Sequence, residues 1–242
     1  MFLVPMVIDP EIFDLVQQEI ANRQVLAKPF KGDHLFSHRI RCAECGAFYG
    51  PKTWHSNDQY RKVVWQCNNK HKTKGKPCPS PKFSEDEVKA MFVKAVNKLI
   101  GDKEEIIKGF KEIRDEVFSS ADEEAQLAKL REERAEIVRL MEQLTTENAS
   151  RVMHQDGYKV RFEELSRRYV RGNDELAALD EAIRDRQYRK TRTELFIREL
   201  EKLDGLVTEF SDELWHSLVD HATVHGKDDV RFMFKNGREI EA

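Results

Sequence analysis

The chain has 242 residues, 40% of them apolar and 35% charged, with a formal net charge of −3. So high a charged fraction excludes a single compact globule of this length, and something elongated must account for much of the chain. No apolar run approaches the ~20 residues that span a bilayer, and Met1–Ile8 is too short and uncharged for a signal peptide, so a cytoplasmic protein without a membrane partner is expected.

In the segment Pro10 to Gln24, Ile12, Phe13, Val16 and Ile20 fall at helical spacing, with Asp9 as N-cap and Pro10 at the first helical position, predicting a short amphipathic helix. From Leu35 to Lys82 glycines and prolines break the pattern around Tyr60, Val63, Val64 and Trp65, which predicts a small β-rich unit; Trp54, Tyr60 and Trp65 are expected in its core, the alternative being that they stack on single-stranded bases. Ser84 opens a helix as N-cap, Glu87 completes a capping box, and Glu85 and Asp86 complement the helix dipole. Val88, Met91, Phe92, Ala95, Val96 and Leu99 form its apolar stripe, and Gly101 is its expected C-cap.

Between Glu104 and Leu203 the composition is that of long helices. Leu130, Ile137 and Leu144 recur every seven residues with Leu140 at a d position; Phe162, Tyr169, Leu176 and Ile183 do the same with Leu165 and Leu179 at d. A polar break near Asn148 to Gly157 separates the two series, so an antiparallel hairpin that folds back on itself is expected. Glu133 and Gly172 are flaws in the seam, and Gly172-Asn173 is expected to interrupt or bend the returning helix. At the C-terminus, Ala222 to His225 and Val230 to Lys235 flank a turn at Gly226 to Asp229, predicting a β hairpin, with Asn236-Gly237 as a further turn. A helical hairpin inserted between two β segments brings its ends together, so this hairpin is expected to meet the β-rich unit.

All four cysteines, Cys42, Cys45, Cys67 and Cys78, lie within that β-rich unit. In a reducing compartment such a cluster favours a metal over disulfides. Cys42-Ala43-Glu44-Cys45-Gly46 places two thiolates on one turn, with Gly46 supplying positive-φ freedom. Cys67 and Cys78 are ten residues apart and make a less specific pair. One structural zinc on the four thiolates is the expected cofactor, since such a set leaves no coordination position open to water. A site in which His71 replaces Cys78 is an alternative, as is a disulfide pair.

Lys31 to Lys82 carries eleven basic residues against Asp33, Glu44 and Asp58, a net of +8, which is the electrostatic footprint of a phosphate-binding surface. Lys70, Lys72, Lys74 and Lys76 crowd the loop between the last two cysteines and are expected to lie along a DNA backbone, the alternative being an ordinary solvated basic loop. Arg39, Arg41, Lys52, Arg61 and Lys62 are the other candidate DNA contacts, the arginines being able to read guanine in a groove. The alternative is a zinc-ribbon and coiled-coil scaffold that assembles proteins and never touches DNA.

The order of these parts resembles the C-terminal part of large serine recombinases. Val7-Ile8-Asp9-Pro10-Glu11-Ile12-Phe13-Asp14-Leu15-Val16-Gln17 is similar to the closing helix of that family's recombinase domain, and His34 to Gly46 resembles the entry to its zinc ribbon. The long coiled coil, Glu213-Leu214-Trp215 and the final β hairpin match the rest. The resemblance implies an α+β chain divided into 1–30, the closing helix and linker; 31–120, the zinc ribbon with its packing helix; 121–205, the antiparallel coiled-coil arm; and 206–242, a C-terminal helix and β hairpin returning to the ribbon. In the family a catalytic serine domain precedes these parts and cuts and rejoins DNA; nothing in this sequence matches it. The resemblance further implies that the ribbon binds one part of a double-stranded attachment site, and that the coiled coil meets other recombinase subunits during synapsis. It also implies that the arm helps to choose between integration and excision, often with a recombination directionality factor. Val152, Met153 and Tyr158, apolar residues at the expected tip, are the candidate subunit contacts; the alternative is that they cap the end of the seam.

Overall fold

A computed structural model describes residues 34–71, 76–150 and 154–242, together with Phe13, Val16, Gln17 and Ile20. These last four are helical and exposed; the rest of the expected Pro10 to Gln24 helix lies outside the described residues. The fold is α+β, and the chain divides into two compact units, one of Met1–Glu112 with Thr191–Ala242 and one of Ile113–Lys190.

The first unit holds two small sheets. In one, β1 (Ile40–Cys42) pairs in parallel with β5 (Val219–Val224), and β6 (Val230–Phe234) and β7 (Glu239–Glu241) extend it by antiparallel pairing. Ile40 stands opposite Ala222, and Cys42 opposite Val224. The other sheet is β2 (Tyr49–Trp54), β3 (Lys62–Cys67) and β4 (Lys82–Ser84), antiparallel throughout. The β5–β6 turn closes through His225 and Gly226 amides donating to the Asp229 carbonyl, and the β6–β7 turn uses Gly237 at φ +87°.

Ser84 leads β4 directly into α1 (Glu85–Gly101), and the capping box with Glu87 is formed. Val88, Phe92, Ala95, Val96 and Leu99 are buried, so the stripe faces the core. Gly101 ends the helix without capping it: Asp102 at φ −102° is the C-cap, because α2 (Lys103–Val117) begins at the next residue and no left-handed turn is needed. The core is aromatic. Phe36 packs edge-on against Trp65 and Trp215, at 5.5 and 4.8 Å between ring centroids, and Phe92 meets Trp215 and Phe210 at 5.5 and 5.2 Å. Edge-to-face pairs at such distances add to plain area burial.

Two long helices follow, α3 (Ala121–Ser150) and α4 (Gln155–Glu201), and then the short α5 (Asp212–Leu218) with Ser211 as N-cap. Within the second unit α3 and α4 are antiparallel: Glu123 pairs with Arg186 and Arg131 with Asp180. Ile137, Leu144 and Leu176 are buried along the seam, and Leu127, outside the heptad series, is buried with them. Two expectations are corrected. α4 runs unbroken through Gly172 and Asn173, since a continuous ladder of backbone hydrogen bonds absorbs one weak helix former. The break between the helices is narrower than Asn148 to Gly157, because Asn148, Asp156 and Gly157 are helical.

The last turns of α4 belong to the first unit, where Phe196, Ile197 and Leu200 join the aromatic core. Lys103 caps the C-terminus of α4 there, its Nζ donating to the carbonyls of Glu201 and Leu203 at 3.0 and 2.8 Å. Among the described residues no helix is long and apolar enough to cross a membrane.

Candidate metal centre and basic face

The turn after β1 and the end of β3 bring the four cysteines together. Cys42 Sγ lies 3.6 Å from Cys78 Sγ, Cys45 Sγ lies 3.4 Å from Cys67 Sγ, and all four sulfurs are within 4.8 Å of one another. A tetrahedron with zinc–sulfur bonds of ~2.3 Å has edges of ~3.8 Å, so the donor set fits one zinc ion. The first turn closes by Gly46 N donating to Cys42 O at 2.9 Å, with Gly46 at φ +69°. In the second, Asn69 N points at Cys67 Sγ at 3.4 Å, and Asn69 Nδ2 at Cys45 Sγ at 3.5 Å. Such donors stabilise thiolate. Burial pushes the Cys42 thiol up and the Cys67 thiol up to about 12, whereas at Cys78 burial is outweighed by the hydrogen bonds of Ser80 and the thiol is held at about 7.

The wide spacing of Cys67 and Cys78 has a local explanation. Cys78 N donates to Asn69 O at 3.2 Å, which sets Cys78 beside the turn that carries Cys67. Lys70 ties the same two stretches together: its Nζ donates to the carbonyls of Ser80 and, at 3.4 Å, Pro79. His71 is exposed and is not among the groups whose ligand atoms converge. No disulfide joins the described cysteines.

The candidate DNA contacts divide. Arg39 is corrected: it is only 6% exposed, and its Nη1 donates to the carbonyls of Val219 and Asp220 at 3.0 and 2.8 Å, so its charge serves the β1–β5 junction. Lys70 is likewise turned onto backbone, at Pro79 and Ser80. Arg41 is half-buried with its guanidinium 5.6 Å from the Phe48 ring centroid. Lys52, Arg61, Lys62 and Lys76 are exposed. Lys72, Lys74, Val152 and Met153 lie outside the described residues, as does Lys31. Tyr158 is half-buried on α4 and stacks on Phe162, with centroids 5.8 Å apart.

The expected aromatic core is also corrected. Trp65 is fully buried, but Trp54 is 36% and Tyr60 67% exposed, because β2 and the turn after it run beyond the cover of the core. Lys82 Nζ sits 4.0 Å and Lys62 Nζ 6.0 Å from the Trp54 ring centroid. Lys82 belongs to the basic stretch without being among the candidate contacts; apolar Phe83, buried at the middle of β4, is the signal that places Lys82 on the opposite side of the strand.

Four converging cysteines on two turns, joined to short antiparallel strands, have the arrangement of a zinc ribbon that could hold one ion. Residues 35–97 match the recombinase zinc beta ribbon domain. Comparison with curated proteins finds no match. A chain from the crystal structure of an LSR–DNA complex aligns with 94% of this chain and 64% of its own length, at 15% identity and a TM-score of 0.33. The present chain therefore spans less than two thirds of that one, and the assignment rests on the ribbon match.

Proposed function

We propose that the chain is the DNA-binding and subunit-contacting C-terminal part of a large serine recombinase, acting in site-specific recombination. The observation that carries this reading is the coincidence of a recombinase ribbon match with four converging thiols on the same residues. One zinc on Cys42, Cys45, Cys67 and Cys78 would hold the turns rigid and supply no chemistry of its own. The surrounding surface carries exposed Lys52, Arg61, Lys62, Lys76 and Lys82, suited to the phosphates of an attachment site.

The helical hairpin is the part assigned to other recombinase subunits in synapsis, and with a directionality factor to the balance of integration and excision. An open groove of about 460 Å³ between α3 and α4 supports a protein contact there; Val138, Met141, Thr145 and Tyr169 are among its lining residues. Tyr158, with Val152 and Met153 beside it in sequence, would serve the same contact.

Binding of the zinc-loaded chain to duplex DNA, repeated over a range of salt and after chelation, tests the reading. Steeply salt-dependent affinity that disappears with the metal is expected. Absence of duplex binding would favour a protein-assembly scaffold.

A further inference from the structure

Resting on that reading and deepening it, the geometry points to the outer face of the β2–β3–β4 sheet, centred on Trp54, as the surface that holds the backbone of duplex DNA. Residues directly opposite in an antiparallel pair share a face, as do alternate residues on a strand. Trp54 stands opposite Lys62, Lys52 opposite Val64, and Gln66 opposite Lys82. Lys52, Trp54, Lys62 and Lys82 therefore lie on one face. Val64 and Gln66 of that face are buried, its charged residues and Trp54 exposed; the other face carries Tyr49, Trp65, Cys67 and Phe83, all buried, and is the side turned to the core and the sulfurs.

The charge on the outer face is unbalanced. Among the described residues neither Lys52, Arg61, Lys62 nor Lys82 has a carboxylate partner, whereas Lys89, Lys227 and Arg231 of the same unit pair with Glu85, Glu87 and Asp229. Asp58, the acid in the turn after β2, is engaged by Tyr60 N at 2.7 Å and lies 3.1 Å from His55 Nδ1. Those contacts brace the turn, which presents exposed Tyr60 and Arg61 beside the lysines.

The ring of Trp54 gives the lysines their order. Ammonium groups drawn over an indole face lose freedom before any anion arrives, so less is lost on binding. Lysines act as point charges that position a phosphate backbone without reading bases, which selects a duplex held by its backbone, with Arg61 and Tyr60 at the edge of the face nearest a groove.

The chain has three tryptophans, and Trp65 and Trp215 are fully buried, so Trp54 is the one open to acrylamide. Quenching of the zinc-loaded chain should decrease when a mixed-sequence duplex is added, and Trp54→Phe should remove the accessible fraction. Lys52→Gln, Lys62→Gln and Lys82→Gln together should lower the slope of log K against log salt by ~2.7, at ~0.9 per phosphate contact, with an unchanged melting profile. Salt-dependent binding with Trp54 still accessible and the slope unchanged would overturn this surface and leave the DNA-binding reading standing. No duplex binding at all would overturn both. Protection of Trp54 by single strands in preference to duplex would replace backbone docking with base stacking.

Discussion

Arg39 donates through Nη1 to the carbonyl oxygen of Val219, 180 residues further along the chain, at 3.0 Å. A second bond from the same nitrogen reaches Asp220 O at 2.8 Å. With Ile40 paired to Ala222, these bonds make the C-terminal hairpin part of the sheet that carries the first cysteine. Arg39→Met should therefore destabilise the ribbon unit by about 2 to 3 kcal/mol, since it leaves buried acceptors without a charged donor. Urea unfolding read by near-ultraviolet circular dichroism measures it, and a loss of under half that size would mean that water replaces the guanidinium.

Metal removal should separate the two units. Cys42→Ser, or chelation of the native protein, is expected to abolish the near-ultraviolet signal of the ribbon unit while most helical ellipticity survives, because the cysteines lie in one unit and most of α3 and α4 in the other. X-ray absorption should find four sulfurs at ~2.3 Å from zinc. A nitrogen in that shell would return His71 to the site.

Asp220 provides a pH dependence with a definite sign. Burial alone would push its carboxyl up, but His221 Nδ1 at 2.7 Å and the charges of Arg192 and Arg39 outweigh it and hold the group well below the ordinary carboxylate range. A depressed carboxylate contributes stability that is fully present above its unfolded pKa of ~3.9 and is lost as pH falls from there toward the folded value. The stability difference between wild type and Asp220→Asn should thus be constant from neutral pH to about 5 and shrink below about 4. Reading the difference in excess zinc cancels the loss of metal that acid also causes. A difference that shrinks already near pH 6 would assign the effect to a histidine.

Gly172 lies inside unbroken α4, and a Cβ built there meets nothing within 4 Å. Gly172→Ala should stabilise the helical hairpin by roughly 0.5 to 1 kcal/mol through helix propensity alone. Thermal unfolding followed by ellipticity decides it, and destabilisation would mean that the helix needs a bend at this position.

The elements that depend on near neighbours were legible in the residues alone. Ser84 and Glu87 make a capping box within one turn, Ile137, Leu144 and Leu176 recur at the spacing of a buried seam, and Cys42 and Cys45 with Gly46 form a turn whose geometry is local. The fates of individual charges and aromatic rings were not. Arg39 and Arg61 look alike as sequence, yet one is buried against β5 and the other exposed; Trp65 and Trp54 sit on neighbouring strands, yet only Trp65 turns to the core. Burial of a guanidinium requires acceptors, and here they come from a strand at the far end of the chain. The face taken by a tryptophan depends on pairing register, since one residue of slip exchanges the two sides. The sequence by itself determined the helices, the hairpin and the clustering of thiols, because periodicity and spacing act through the nearest bonds. Tertiary pairing alone decided which cations are spent inside the protein and which remain on its surface, because that choice is made by partners distant in the chain.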